Sequence, residues 1–138
     1  DISAILGISQ LTRLKKFLKK RNEIAKIYKK LLKNSPVKFQ KILNHNNSSY
    51  HLFIAKFNLK KSKHNYKYIF KKLREKNFFV NLHYMPLHLS PFFKAKGFRK
   101  GQFPISESYA TNSLSLPIFF DLKKETIKKI CRTIHRFF

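Results

Sequence analysis

Helical periodicity punctuated by proline most constrains how this chain can fold. Over residues 2–33, Leu11, Leu14, Leu18, Ala25, Tyr28 and Leu32 recur at three- and four-residue spacing, with Lys15, Lys16, Lys19, Lys20, Lys26, Lys29, Lys30 and Lys33 mainly between them. That pattern predicts one long helix with an apolar stripe and a solvated lysine face. Gly7 would mark a bend or a close contact. Asn34-Ser35-Pro36 ends the helix, because proline cannot continue it.

Beyond Pro36 the period changes repeatedly. Residues 37–47 read as a strand or loop, and Tyr50 to Phe57 alternates in part, as a strand does. Ser62 is placed to cap a second helix, with Tyr66, Ile69, Phe70 and Leu73 as its buried stripe. Asn77 sits where a helix end takes left-handed geometry. Phe78 to Tyr84 reads as a strand, Pro104 opens a short helix with Ser106 and Glu107 in its first turn, and Leu114-Ser115-Leu116 is a short strand stopped by Pro117. Asp121 is placed to cap a final helix burying Ile127, Ile130, Cys131 and Ile134. Strands this few, separated by amphipathic helices, predict an α/β chain in an α+β layer arrangement: a small mixed or antiparallel sheet with helices over one face. A single domain over 1–138 is expected, with 1–33 as a long connecting helix and 37–138 as the small α/β part.

Composition narrows the function classes. The lone cysteine, Cys131, excludes an internal disulfide and a cysteine metal cluster, and its helical apolar surroundings predict a buried thiol. No apolar run approaches the roughly 18 residues of a membrane span, and no signal segment opens the chain, so no membrane partner and a reducing, cytoplasmic setting are expected. Lys and Arg number 31 against 6 Asp and Glu, a formal net charge of +25. Such a balance suits a polyanion, yet the basic residues interleave with core-face positions instead of gathering in one arm. A solvated surface on an ordinary globular domain is the favoured reading, and nucleic acid is not the expected partner.

The chemistry concentrates in Asn81-Leu82-His83-Tyr84-Met85-Pro86-Leu87-His88-Leu89-Ser90-Pro91-Phe92-Phe93. Pro86 and Pro91 stiffen a loop at a strand end, and the imidazoles and phenol it carries suit recognition of a polar substrate. His83 and His88 lack the spacing of a helical metal pair, and His45, His51 and His64 fall in unrelated segments, so no metal site is expected. Glu107 is the acidic residue placed to turn toward this loop. No glycine-rich phosphate loop, nucleophile elbow or nucleic-acid-binding signature stands out.

The motifs extend along nearly the whole chain. Asp1-Ile2-Ser3-Ala4-Ile5-Leu6-Gly7-Ile8-Ser9-Gln10-Leu11, Ser49-Tyr50-His51-Leu52-Phe53, the loop in the form H-Y-x-P-x-H-x-x-P, Gly97, Phe103-Pro104-Ile105-Ser106-Glu107 and Leu114-Ser115-Leu116-Pro117 follow one another in order. In that order they resemble the C-terminal part of the DegT/DnrJ/EryC1/StrS sugar aminotransferases. The loop form looks closest to the members that make 4-amino-4,6-dideoxy sugars, the pseudaminic acid pathway enzyme among them. Asn77 stands where the family usually has glycine, Ser90 where glutamine is frequent, Ser106 where alanine is usual, and Phe92-Phe93 where the aromatic pair usually includes tyrosine.

The resemblance implies the C-terminal small domain of a fold-type-I enzyme dependent on pyridoxal phosphate. Such an enzyme moves an amino group, with glutamate as the expected donor, to a nucleotide-linked 4-keto-6-deoxy sugar for surface glycan synthesis, and works as a homodimer. It implies that His83, Tyr84 and His88 wall the sugar pocket as hydrogen-bond donors, the alternative being that His83 and His88 only anchor the loop, while the Schiff-base lysine and most of the cofactor site belong to a preceding N-terminal domain. No lysine here matches the family's cofactor motif, so no catalytic or cofactor-binding residue is expected within 1–138, and the chain alone is expected to be inactive. The rival readings are a basic non-enzymatic module that binds nucleic acid or another polyanion, which net charge alone supports, and an inactive fragment.

Overall fold

The computed structural model describes residues 1–138. Helix α1 spans Ile2–Leu31, β1 Val37–Phe39, β2 Phe53–Phe57, α2 Tyr66–Glu75, β3 Asn81–Leu82, α3 Pro91–Ala95, α4 Pro104–Asn112, β4 Ser113–Leu116 and α5 Lys124–His135. The strands form one sheet in the order β1-β2-β4-β3, antiparallel throughout. This is the small helix-covered sheet that the periodicities predict. Strand β4, last in sequence, lies between β2 and β3, so the edge strand β3 is held by a segment more than thirty residues later.

Register explains which side chains fill the core. Val37 lies opposite Phe57, Ala55 opposite Leu114, and Phe53 opposite Leu116. Partners across an antiparallel pair share a face, so these residues project together. They meet Ile24, Ala25, Tyr28 and Leu32 from α1, Ile69 and Leu73 from α2, and Ile127, Ile130, Cys131 and Ile134 from α5 in one buried cluster. Tyr28 stacks on Phe53 at 5.2 Å and donates its hydroxyl to the Pro117 carbonyl at 3.1 Å. Burial pushes the Cys131 thiol up to about 12, so it remains protonated at neutral pH. The opposite face of the sheet is partly covered by α4, where Tyr109 lies beneath the Lys56 ammonium at 5.9 Å, so helices occupy both faces instead of the expected one.

Several local expectations are corrected. Helix α1 runs unbroken through Gly7, and a Cβ there would meet no packing partner within 4 Å, so it marks neither a break nor a close contact. Leu11 and Leu14 are exposed and only the second half of α1 is buried, because the sheet and α5 reach no further along it. Asn65, not Ser62, caps α2 by accepting the Tyr68 N–H at 2.9 Å. Ser62 instead donates to the Phe137 carbonyl at 2.7 Å and ties the chain's end to this turn. Lys123, not Asp121, occupies the cap position of α5. Strand pairing is shorter than alternation suggests, covering 37–39, 53–57 and 81–82, and β4 has only four residues to offer its neighbours β2 and β3.

Two helix ends are built alike and matter for the site. Asn77 takes φ of 58°, and the Phe78 N–H reaches the Leu73 carbonyl at 3.1 Å while the Asn77 N–H reaches Arg74 at 2.9 Å. At the end of α3, Gly97 takes φ of 91°, and the Phe98 N–H reaches the Phe93 carbonyl at 3.2 Å. Both are left-handed caps that satisfy the last carbonyls of a helix. Phe93 and Phe98 then meet edge to face at 5.6 Å, the apolar contact that accompanies such a cap.

Candidate functional site

Alternation along β3 sends Asn81 and His83 to the side of the sheet away from the core, the side on which Ser115 of β4 lies opposite Asn81. At this edge of the sheet they line an open cleft of about 420 Å3 with Leu52, Phe70, Leu82 and Tyr84. The His83 ring meets Tyr109 of α4 edge to face at 5.4 Å and lies 5.7 Å from the Tyr84 ring. His83 is half-buried, whereas Tyr84 is 81% exposed at the cleft mouth. Under the cleft, the Tyr66 hydroxyl donates to the Ser113 carbonyl. Burial pushes the Tyr66 phenol up to about 12, partly opposed by the His83 backbone amide. That keeps Tyr66 a neutral donor that pins the base of β3 to β4.

His88 lies elsewhere. It is 8% exposed, tilted against Phe103 at 4.7 Å, and its Nε2 is 3.0 Å from Glu107 Oε1. The same carboxylate oxygen accepts the Gly101 N–H at 2.7 Å and the Phe103 N–H at 3.4 Å. Desolvation pushes the Glu107 carboxyl upward, but the bonds from Gly101, His88 and Phe103 outweigh it and hold the group below its ordinary range. Glu107 therefore joins the proline-flanked loop to the turn before α4 through one oxygen. A second cavity, about 260 Å3, opens beside His88 and is walled mainly by Leu87, Phe93, Phe98 and Phe103.

The structure thus brings His83 and Tyr84 into one cleft and sets His88 in a separate aromatic pocket. Glu107 turns toward the loop as its position in the sequence suggested. Asn81 and Ser115 are polar lining residues that sequence reasoning did not single out. Both stand within quoted motif segments, but only the β3–β4 register makes them neighbours. No group of histidine, cysteine and carboxylate side chains is gathered as a metal site would require, and no helix is long and apolar enough to cross a membrane.

Fold and site together define an α+β domain that presents an imidazole, a phenol, an amide and a hydroxyl at the edge of its sheet. The chain belongs to the DegT/DnrJ/EryC1/StrS aminotransferase family, whose family model matches residues 1–135. It is similar to the uncharacterized protein MJ1066 of Methanocaldococcus jannaschii, at 31% identity over 138 residues, 99% of this chain and 36% of that protein. Among solved structures it is similar to Spr1654 of Streptococcus pneumoniae in its PMP form, with a TM-score of 0.86, 26% identity, and 95% of this chain and 33% of that chain covered. It is also similar to Helicobacter pylori PseC, an aminotransferase involved in the biosynthesis of pseudoaminic acid, with a TM-score of 0.83, 25% identity, and 96% and 36% of the two chains covered. The chain spans about a third of the length of the relatives it matches.

Proposed function

We propose that this chain is the C-terminal, substrate-facing domain of a pyridoxal-phosphate-dependent aminotransferase that aminates a nucleotide-linked 4-keto-6-deoxy sugar, with glutamate as donor and a homodimer as the working unit. The observation that carries the reading is the match along residues 1–135 to an aminotransferase family, on a chain whose quoted loop motif supplies the His83–Tyr84 cleft. Relatives named GDP-perosamine synthase and PseC support a sugar as substrate, and the PLP and PMP forms of Spr1654 support the cofactor.

The residues present do not form a cofactor site by themselves. The cleft of His83 is lined by no lysine and no carboxylate, so it offers neither an amine for the cofactor's aldehyde nor an acid for its ring nitrogen. When bound, the cofactor supplies the electron sink for amino transfer. Within this chain, His83 Nδ1 or Nε2, the Tyr84 hydroxyl and the Asn81 amide act as hydrogen-bonding groups that orient sugar hydroxyls. Ser115 adds a hydroxyl at the cleft floor. Tyr109 stops the His83 ring from turning, and Glu107 with His88 holds the loop in which Tyr84 stands.

Two measurements test this. Amino transfer from glutamate to a nucleotide-linked 4-keto-6-deoxy sugar is assayed with an aminotransferase that contains this chain as its C-terminal domain, and His83→Ala or Tyr84→Phe is expected to lower kcat/KM by roughly 10- to 150-fold, the cost of one hydrogen bond to a polar or charged substrate group. The 138-residue chain, incubated with pyridoxal phosphate and borohydride, is expected to show only scattered lysine labelling. Stoichiometric labelling of one lysine, or unchanged kcat/KM in both variants, would overturn the proposal.

A further inference from the structure

Helix α5 and the turn that ends α2 enclose a groove of about 520 Å3 that shares no lining residue with the His83 cleft. Thr126, Lys129, Thr133 and Arg136 follow one another at three-, four- and three-residue spacing, so they stand in a row along one face of α5 and its cap. Arg132 flanks the row, and Lys76 faces it from the left-handed turn at Asn77. No carboxylate lies within ion-pair distance of these four cations, because Glu75 is taken by Lys71 and Lys72 and Glu125 by Lys128. The hydrogen bonds from Lys72 and Lys128 hold Glu75 and Glu125 below the ordinary carboxylate range, and Lys76 and Arg132 add only a weaker, longer-range pull.

Cation number alone does not single this groove out, since 31 lysines and arginines cover the chain. Thr133 does. The residue is only 8% exposed, lines the groove and makes no side-chain hydrogen bond within the protein. Thr12 and Thr111, by contrast, donate back to their own helices, Thr12 to the Ser9 carbonyl at 2.7 Å and Thr111 to the Glu107 carbonyl at 3.0 Å. A nearly buried donor left open between arginine forks and ammonium groups is the donor set that oxygen-rich anions require.

We infer that this groove is an anion site for a compact diphosphate, supplied either as inorganic pyrophosphate or as the diphosphate of a nucleotide. Lys129, Arg132 and Arg136 contribute charge and hydrogen bonds, Thr133 a hydroxyl, and Lys76 closes the opposite wall. The row from Thr126 to Arg136 is about 15 Å long at helical rise, enough for a diphosphate. Phe78, half-buried, is the only aromatic side chain in the wall, whereas a single-stranded nucleic acid needs a succession of stacking platforms. The inference stands on the groove alone and does not depend on the aminotransferase reading.

Calorimetric titration of the chain with pyrophosphate at about 0.15 M salt, where long-range surface attraction is largely screened, tests it. Saturable one-to-one binding is expected. Thr133→Val is expected to weaken it by about tenfold or more, as loss of a hydrogen bond to a charged group does, while Thr133→Ser retains it. Joint replacement of Lys129, Arg132 and Arg136 by Gln is expected to abolish binding. The same replacement of Lys15, Lys19 and Lys26, exposed on α1, is expected to change it by less than about twofold at this salt. Thermal melts of each variant separate lost binding from lost folding. A nucleoside diphosphate that binds more tightly than pyrophosphate identifies the nucleotide as the source, and equal affinity identifies the bare diphosphate. Absence of saturable binding, an unaffected Thr133→Val variant with native melting, or equal weakening of pyrophosphate or RNA binding by the two triple replacements would overturn the assignment.

Discussion

Replacing His88 with alanine separates an anchor from a substrate contact. The imidazole is 8% exposed, packs on Phe103 at 4.7 Å and bonds Glu107 Oε1 at 3.0 Å. Losing the ring's apolar burial costs about 1–1.5 kcal/mol, and losing the hydrogen bond costs about as much again, so the sum is about 2–3 kcal/mol. At about 2.1 cal/mol/K per residue, the unfolding entropy of a chain this size makes that a drop in Tm of roughly 7–10 °C. Circular-dichroism melts of the parent and His88→Ala read the shift directly. Backbone hydrogen exchange should show faster exchange at Leu89 and Ser90, whose N–H groups close the turn around His88. In an aminotransferase built on this chain as proposed above, the same substitution should leave kcat/KM per folded molecule nearly unchanged, because His88 lines no part of the His83 cleft. A melt within about 2 °C of the parent, joined to a tenfold or larger loss of kcat/KM, would refute the anchor and return His88 to the proposed substrate-binding group beside His83 and Tyr84.

The remaining expectations concern charge and the uncovered end of α1. Glu107 is held below its ordinary value of 4.5 in the folded chain, so its stabilising contribution is present above that value and is lost as pH falls from it through the lower folded-state value. Acid titration of stability should therefore be shallower in Glu107→Gln than in the parent below pH 4.5, and parallel curves there would contradict the assigned hydrogen bonds. Ile2, Ile5, Leu6 and Ile8 are 86%, 67%, 59% and 66% exposed, an apolar patch that should make the chain self-associate despite its charge. Sedimentation velocity should show Ile5→Lys with Ile8→Lys to be more monomeric at unchanged Tm, since exposed substitutions rarely move stability by more than about 0.5 kcal/mol. Monomeric parent protein at high concentration would argue against that patch as an association surface.

Why the cleft forms where it does follows from the order of the strands. Edge strand β3 is only Asn81–Leu82, too short to hold its own position. Its register is set by β4, by the left-handed cap that delivers Phe78, and by Tyr66 bonding the Ser113 carbonyl. The loop after it is then fastened at its far side through His88 and Glu107. His83 and Tyr84 stand between two fixed points, which suits groups that must meet a substrate with little reorganisation.

Sequence alone determined whatever depends on neighbours close along the chain. The helical stripes at Ile69 and Leu73 and at Ile127, Ile130, Cys131 and Ile134 are buried as their spacing requires, Asn77 takes its left-handed turn, and Pro104 opens α4. The ordered motifs of the proline loop and its flanks carried the family resemblance. Tertiary structure decided whatever depends on distant partners. Leu11 and Leu14 continue the stripe of α1 yet remain exposed, because periodicity reports that a face is apolar and not whether anything covers it. Asn81 meets Ser115 only through the antiparallel register of β3 with β4. His83 and His88 share one loop, but the chain turns between them, so one faces the open cleft beside Asn81 and Ser115 and the other enters an aromatic pocket under Glu107. Proximity in sequence supplied their chemistry, and the path of the loop through space assigned it.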